Sequence, residues 1–316
     1  GFIISYVTDK PTFSFQDYAL RRIYRIYPFY FLFTTLAYLA FIIYPPLNAV
    51  GRDYAFDNYV MSVLIAPQQH LPILAVGWSL EHEILFYLLF GVTLALGKRK
   101  LITKVLFSFF VVGLVVRLII FDGHKNDFWD FHITSPVLIE FLAGVLVYGH
   151  KEKLSRINPF LILTIGILSF LMLAWWFQGA KVALDDSGLF DLSMTYIRSI
   201  WSSVSFGLIL AGSLGLEQRV KTDRSSILSF FALIGSASYA LYLSHIFVFS
   251  AVGQFFKLLK VDLDRLSAVG LVVIGFAIAI AIAIAFLKFI EMPIQRVLHT
   301  RSTKRRLQVS CKGTKI

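Results

Sequence analysis

A chain of 316 residues in which 57% are hydrophobic and only 16% are charged has too few charged residues for a water-soluble globule of that length. The net charge of +11 suggests nucleic acid at first sight, but the basic residues fall in short clusters between apolar runs, which marks them as topology signals and argues against a nucleic-acid partner. A mean hydropathy of +0.73 points to a polytopic membrane protein, and the single cysteine, Cys311, excludes an intrachain disulfide and offers no metal framework.

A membrane-spanning helix needs about 20 mostly apolar residues. Residues 1–8 read as the tail end of one such helix, and because the chain begins at Gly1 with no cleavable signal, an N-terminally shortened protein is expected. Eight full segments follow: 26–44, 78–97, 103–121, 134–149, 158–178, 197–216, 228–250 and 267–290. The segment 134–149 is the shortest, and its start runs into the aromatic stretch FWDFHI. Through 277–286 Ala and Ile alternate with the period of a strand, but lipid forbids an open strand edge, so this segment too reads as helix. The expected fold is all-α, a polytopic integral membrane helical bundle with eight full transmembrane helices plus an N-terminal remnant. It occupies residues 1–296, with 297–316 as a basic cytoplasmic tail.

Orientation follows from Lys and Arg. With Arg21, Arg22 and Arg25 on the cytoplasmic side and strict alternation thereafter, inside loops exceed outside loops in basic residues by roughly three to one. The C-terminus is then cytoplasmic. The largest outside loops, 45–77 and 179–196, carry Pro, Gly, Asp and aromatics suited to an extracytoplasmic mouth, and Trp129, Trp175 and Trp176 near that surface are suited to stacking on sugar rings.

Ionisable groups at bilayer depth each cost roughly 2.5–3.5 kcal/mol on insertion scales, so those that persist need a partner or a wet cavity. Glu83, Arg117, Glu140 and His245 lie within four of the segments, and counting from the helix ends places all four in the outer half. An ion pair of Arg117 with Glu140 or Glu83 that fixes helix packing is the architectural alternative. Behind Trp78, the residues Ser79, Glu83 and Tyr87 recur every four positions and share one helix face, while Glu81 and His82, near the interface, suit a solvated or headgroup-facing role as well as chemistry. Ser238, Tyr242 and His245 form a second polar stripe, next to Tyr239. A lone histidine there would be a packing residue satisfied by a carbonyl; a stripe of three argues for a cavity wall. Small residues around Gly235 allow the other reading, close helix approach. At the opposite membrane face Arg22 and Arg25 sit at i, i+3, either as topological anchors or as a forked recognition site for phosphate.

The stretches RRIYRIYPFYF and WSLEHEILFY, supported by GFIISY, EFLAGVLVY, SYALYLSH and FIEMPIQR in that order, resemble the membrane acyltransferase 3 family of bacterial integral-membrane O-acyltransferases. The resemblance covers residues 1 to about 296. It implies ten helices in all, a bacterial cytoplasmic-membrane location, and transfer of an acyl group, most often acetyl, from cytoplasmic acyl-CoA to a hydroxyl of an extracytoplasmic or lipid-linked saccharide. The donor is a substrate; no tightly bound cofactor and no metal are implied. Arg22 and Arg25 would hold the CoA phosphates. The histidine regarded as catalytic in the family belongs to a first helix that precedes Gly1, and Glu83 would orient it or take its proton, with His245 in support. Trp78, Ser79, Tyr87, Arg117, Glu140, Ser238, Tyr239 and Tyr242 would line the channel. The rival reading is a multispanning transporter or a glycan or lipid flippase, in which intramembrane charges mark a route and no bond is made.

Overall fold

The computed structural model describes residues 1–9, 15–43, 54–68, 71–119, 135–179, 192–219, 226–258 and 265–293. Eleven α-helices run through them: α1 (Phe2–Val7), α2 (Phe15–Ile43), α3 (Phe56–Val63), α4 (Gly77–Ala95), α5 (Leu101–Ile119), α6 (Leu138–Gly149), α7 (Lys151–Leu154), α8 (Pro159–Gly179), α9 (Leu192–Arg219), α10 (Ser226–Leu258) and α11 (Arg265–Phe286), the last continuing as a π-helical turn, Leu287–Glu291. Each of the eight apolar segments read from the sequence overlaps one of these helices, but the helix within 134–149 runs only over Leu138–Gly149, too short for a full span. Five helices are long and apolar enough to cross a membrane, over Tyr18–Ile43, Pro159–Trp176, Tyr196–Arg219, Ser229–Phe256 and Gly270–Glu291. Their outward faces carry large exposed apolar side chains, such as Phe160, Leu168, Val273 and Phe289, which is the arrangement lipid requires. The basic tail, Cys311, Trp129 and the FWDFHI stretch lie outside the described residues.

The first correction to the sequence reading concerns α2. The apolar window begins at residue 26, but the helix begins at Phe15, eleven residues earlier. The intervening stretch FQDYALRRIYR is too charged to register as a span, yet it is made of helix formers with an aromatic face. That face packs on α4: a Cβ added to Gly91 would lie 2.9 Å from the Phe15 ring and 3.1 Å from the Tyr18 ring. Arg22 therefore lies in the second turn of a long helix, within a packed region.

The chain divides into two compact units, one of residues 1–23 and 34–221, the other of 24–33 and 222–316. In the first, Ile4, Tyr18, Phe86, Phe90, Ile102, Leu106, Leu142 and Val145 form a core that joins α1, the start of α2, α4, α5 and α6. Helices α8 and α9 meet almost backbone to backbone. A Cβ on Gly166 would come 2.8 Å from the Ile209 amide nitrogen, and one on Gly212 would come 2.7 Å from that of Leu163. Asn158 starts α8 by accepting the Phe160 amide at 3.0 Å, with buried Pro159 as the first helical residue. Gly97, at φ +66°, ends α4: its amide bonds to the Leu94 carbonyl and that of Lys98 to the Thr93 carbonyl, both at 2.9 Å.

Three segments assigned to the cytoplasmic side by charge alone meet at one face of this unit. Asp9, after α1, pairs with Arg99 of the α4–α5 connection at 2.5 Å and accepts the hydroxyl of Tyr148 at the end of α6; Lys151 of α7 caps that hydroxyl at 3.3 Å. The Tyr148 hydroxyl and the Arg99 guanidinium hold the Asp9 carboxyl below the usual carboxylate range.

In the second unit Ala237 and Ala240 of α10 pack on Ala283 and Leu287, and Phe33 stacks near Phe247 and Phe286, with centroids 5.6 and 5.2 Å away. Close approach in α10 thus uses the two alanines; a Cβ on Gly235 would meet nothing within 4 Å.

The glycine contacts give a paired test. Gly212→Ala is expected to destabilise the protein by about 1–3 kcal/mol through overpacking. Gly235→Ala is expected to be neutral or to stabilise by up to about 1 kcal/mol, because only the helix-propensity term operates. Thermal unfolding in detergent, followed by size-exclusion fluorescence, checks both; equal melting temperatures would show that the α8–α9 contact is not close.

Candidate active site

Glu83 is the seventh residue of α4 and half-buried, with the Tyr87 hydroxyl, one turn further on, donating to Oε1. The i, i+4 spacing read from the sequence thus produces a direct bond. The Tyr87 backbone carbonyl accepts the hydroxyl of Tyr18 at 3.2 Å, and the two rings meet edge to face at 6.4 Å. Above the same ring lies Arg22, its guanidinium carbon 5.7 Å from the centroid. Arg22, Tyr18, Tyr87 and Glu83 therefore form one continuous polar array between α2 and α4. Its Arg22 Nε is buried and has no hydrogen-bond partner among the described residues.

The division between an inner basic cluster and an outer acidic one does not hold for Arg22, which reaches the phenol bonded to Glu83. The reason is the early start of α2, which brings its second turn alongside the middle of α4. Tyr18 escaped the sequence reading for the same cause: it stands at i−4 from Arg22, a signal visible only once residues 15–25 are taken as helix.

At the head of α4 the outcome for Glu81 and His82 is a correction. Both are buried, at 4% and 1% exposure, where a solvated or headgroup-facing position was the competing expectation. His82 Nδ1 lies 2.8 Å from the Trp78 carbonyl, and its ring meets the half-buried Trp78 indole edge on at 5.7 Å. Glu81 accepts from Gln68 Nε2 at 3.4 Å, and the same Nε2 reaches Ser62 Oγ at 3.2 Å, which also takes the Ile73 amide at 3.0 Å. The α3–α4 connection is thereby clasped to the first turns of α4. It turns back at Ile65, a β-branched residue at φ +53° whose left-handed backbone costs roughly 1–2 kcal/mol. Ser79 does not extend the Glu83 face; its hydroxyl turns back to the Val76 carbonyl at 3.2 Å.

Glu140 lies in the first turn of α6 and is exposed, and its Oε1 accepts the hydroxyl of Ser202 on α9 at 3.0 Å. Arg198, one turn earlier on α9, is near enough to act on it electrostatically. The side chain of Arg117, the expected partner of Glu140, lies outside the described residues. Of the tryptophans expected near this surface, Trp175 is 72% exposed and Trp176 packs 6.0 Å from Trp201.

The second unit carries the other predicted residues. Arg25 is exposed, and Glu291, 4% exposed, sits within its electrostatic reach. The π-helical turn delivers Glu291, and such turns re-aim side chains by admitting an extra residue; the FIEMPIQR motif contained this residue but spacing alone did not single it out. The Tyr239 hydroxyl donates to the Ile26 carbonyl at 2.9 Å and so ties α10 to this part of α2. His245 Nδ1 faces the Leu241 carbonyl at 3.2 Å, its ring 6.0 Å from that of Tyr242. His245 is thus satisfied by a backbone carbonyl, as a packing histidine would be, and Ser238 is exposed. A cavity of about 230 Å³ at the junction of α1, α6, α7 and α9, lined by Phe2, Tyr6, Lys151 and Leu214 among others, shares none of the predicted site residues.

Comparison with known proteins agrees with this architecture. The model of an acyltransferase domain, that of the acyltransferase 3 family, matches residues 1–288. The chain is also similar to the exopolysaccharide production protein ExoZ of Rhizobium meliloti (strain 1021), with 26% identity over 263 residues, 80% of this chain and 74% of that protein. No solved structure matches. A helical chain with several lipid-length apolar segments, a polar array inside them and a family match over nearly its whole length belongs to the acyltransferase 3 family and is a multi-pass membrane acyltransferase.

Proposed function

We propose that this enzyme moves an acyl group, acetyl in the simplest case, from cytoplasmic acyl-CoA to a hydroxyl of an extracytoplasmic or lipid-linked saccharide. The observation that carries the reading is the array of Arg22, Tyr87 and Glu83, a cation, a phenol and a carboxylate linked within apolar helices. Similarity to a protein named for exopolysaccharide production supports a polysaccharide acceptor. The apolar helices are taken to lie in the bacterial cytoplasmic membrane, α6 reaching only part of the way across it with its connection completing the span, and with the Asp9–Arg99–Tyr148 face and the C-terminus inside. Residues 1–296 form the catalytic domain and 297–316 a cytoplasmic tail.

Acyl transfer from a thioester needs three things: a base to take the acceptor proton, donors for the oxyanion that develops on the carbonyl oxygen, and a route for the thiolate to leave. In the proposed reaction the acceptor oxygen bonds to the carbonyl carbon as its proton passes to the base, and the C–S bond breaks to release CoA. Glu83 orients the base or receives its proton. The Tyr87 hydroxyl holds Glu83 in place, and Arg22 supplies an unpartnered buried N–H that suits a phosphate oxygen or the oxyanion. Arg25, exposed, suits a CoA phosphate, which a planar guanidinium binds with forked hydrogen bonds.

Glu83→Gln keeps the size of the side chain and removes its charge, and transfer of radiolabelled acyl groups to surface glycan is expected to fall by roughly 10²–10⁴-fold. Wild-type transfer by a folded E83Q enzyme would remove Glu83 from the chemistry. The arginines are expected to separate kinetically. Arg25→Ala raises the KM for acyl-CoA by about tenfold or more, the loss of one charged hydrogen bond to phosphate. Arg22→Ala lowers kcat as well, because it also strips the cation from the Tyr87 ring. Unchanged acyl-CoA affinity in both variants would end the phosphate role, and an intact thioester beside translocated glycan would identify a transporter.

A further inference from the structure

A second polar cluster, on α6 and α9, has no part in the donor-side array. Glu140 uses one carboxylate oxygen for the Ser202 hydroxyl, at 3.0 Å. Arg198 makes no ion pair or hydrogen bond among the described residues, whose one salt bridge is that of Asp9 with Arg99. Ser199, on the same face of α9 as Ser202, is fully buried, and its hydroxyl has no partner among the described residues. Its backbone carbonyl, by contrast, takes the Ser202 hydroxyl at 3.2 Å and that of Ser203 at 2.5 Å. Across two packed helices Arg198 acts electrostatically on the Glu140 carboxylate without a salt bridge to it among the described residues, one turn from the Ser202 hydroxyl that Glu140 accepts. Glu140 is exposed and Arg198 half-buried, so both charges are reachable by a ligand from outside the helix pair.

Helix geometry explains the opening. With 12 residues, α6 rises only about 18 Å, well short of the roughly 30 Å hydrocarbon core. Its other end is anchored by Tyr148 at the Asp9 face. Ala143 and Val147 lie 4.0 and 3.8 Å from where a Cβ on Gly207 would stand, so the two helices pack closely just beyond Glu140. Helix α9 starts at Leu192, ten residues before Ser202, and so runs about 15 Å past the start of α6. Glu140 therefore stands at the head of a short helix beside a longer one, on a shelf opposite the Asp9 face.

We propose that Glu140, Ser202 and Arg198 form a hydroxyl-binding subsite for the saccharide acceptor, in which a vicinal diol bridges the carboxylate and the guanidinium. This rests on the acyl-transfer reading. A carboxylate accepts two hydroxyl protons and a guanidinium donates to the same or adjacent oxygens, and such charge-assisted bonds are the stronger kind. A neutral polyol fits better than a charged ligand, because a ligand of either sign would meet one attractive and one repulsive partner.

The test uses full-length enzyme in proteoliposomes, with rates measured against both substrates. Glu140→Gln is expected to raise the acceptor KM by about tenfold while the acyl-CoA KM moves less than twofold. Ser202→Ala, the gentler variant if E140Q fails to fold, is expected to raise acceptor KM about threefold. A merely structural role would instead lower kcat or folded yield at constant acceptor KM, and that result overturns the proposal. Should the wild type transfer no acyl group, the acyl-transfer reading fails by itself and the subsite is read by binding: cellotetraose is titrated against tryptophan fluorescence, with its per-O-methylated form as the control. Binding by the wild type that E140Q and the methylated sugar both lose supports the subsite. No difference between wild type and E140Q, including no binding by either, overturns it.

Discussion

A carboxylate seven residues into an apolar helix has to be held, and in this protein the hydroxyl of Tyr87 holds it. A carboxylate at bilayer depth costs roughly 2.5–3.5 kcal/mol. A hydrogen bond to a charged group returns about 1.5–3 kcal/mol, and a guanidinium over the ring that donates it adds about 0.5–2 kcal/mol. The terms come close to cancelling, so the array survives in the membrane with little net penalty and little surplus.

The array depends on a small residue. Gly91 lets the Phe15 and Tyr18 rings approach the α4 backbone, and that approach sets the height of α2 against α4. The height in turn places Arg22 over Tyr87. The same device, a glycine where two helices nearly touch, joins α8 to α9 at Gly166 and Gly212. Small residues let backbones approach where lipid offers no hydrophobic drive to association. Packing of small residues and placement of charged ones are thus one problem in this fold: the first sets the register in which the second meet.

Polar side chains divide into those that brace and those left open. The Asp9–Arg99–Tyr148–Lys151 knot and the Gln68–Glu81–Ser62 clasp are closed networks, one at each end of the first unit's helices, and they fix where connecting segments enter and leave. Arg22 Nε and the Ser199 hydroxyl are buried and without a hydrogen-bond partner among the described residues, as are the hydroxyls of Ser5, Thr34 and Ser244. Arg22 lies in the array with Tyr87 and Glu83, and Ser199 stands one turn before Ser202; Ser5, Thr34 and Ser244 lie where no ligand is proposed, so an open buried hydroxyl does not by itself mark a ligand site.

Composition and hydropathy sufficed for the all-helical membrane fold, because each spanning helix satisfies its own backbone and so announces itself as a local apolar run. Motif spacing on α4 likewise contained the Tyr87–Glu83 bond, which is made within one helix. What sequence could not yield was contact between helices. The true start of α2 was hidden because its first turns are charged, and without it neither Tyr18 nor the approach of Arg22 was visible. Burial of Glu81 and His82 depended on a loop folding back from α3, and the meeting of Glu140 with Ser202 on the register of α6 against α9. These pairs are separated by 13 to 69 residues, and no periodicity encodes which turn of one helix lies beside which turn of another. Side-chain volume at the crossing points decides that, and it is a property of the packed structure alone.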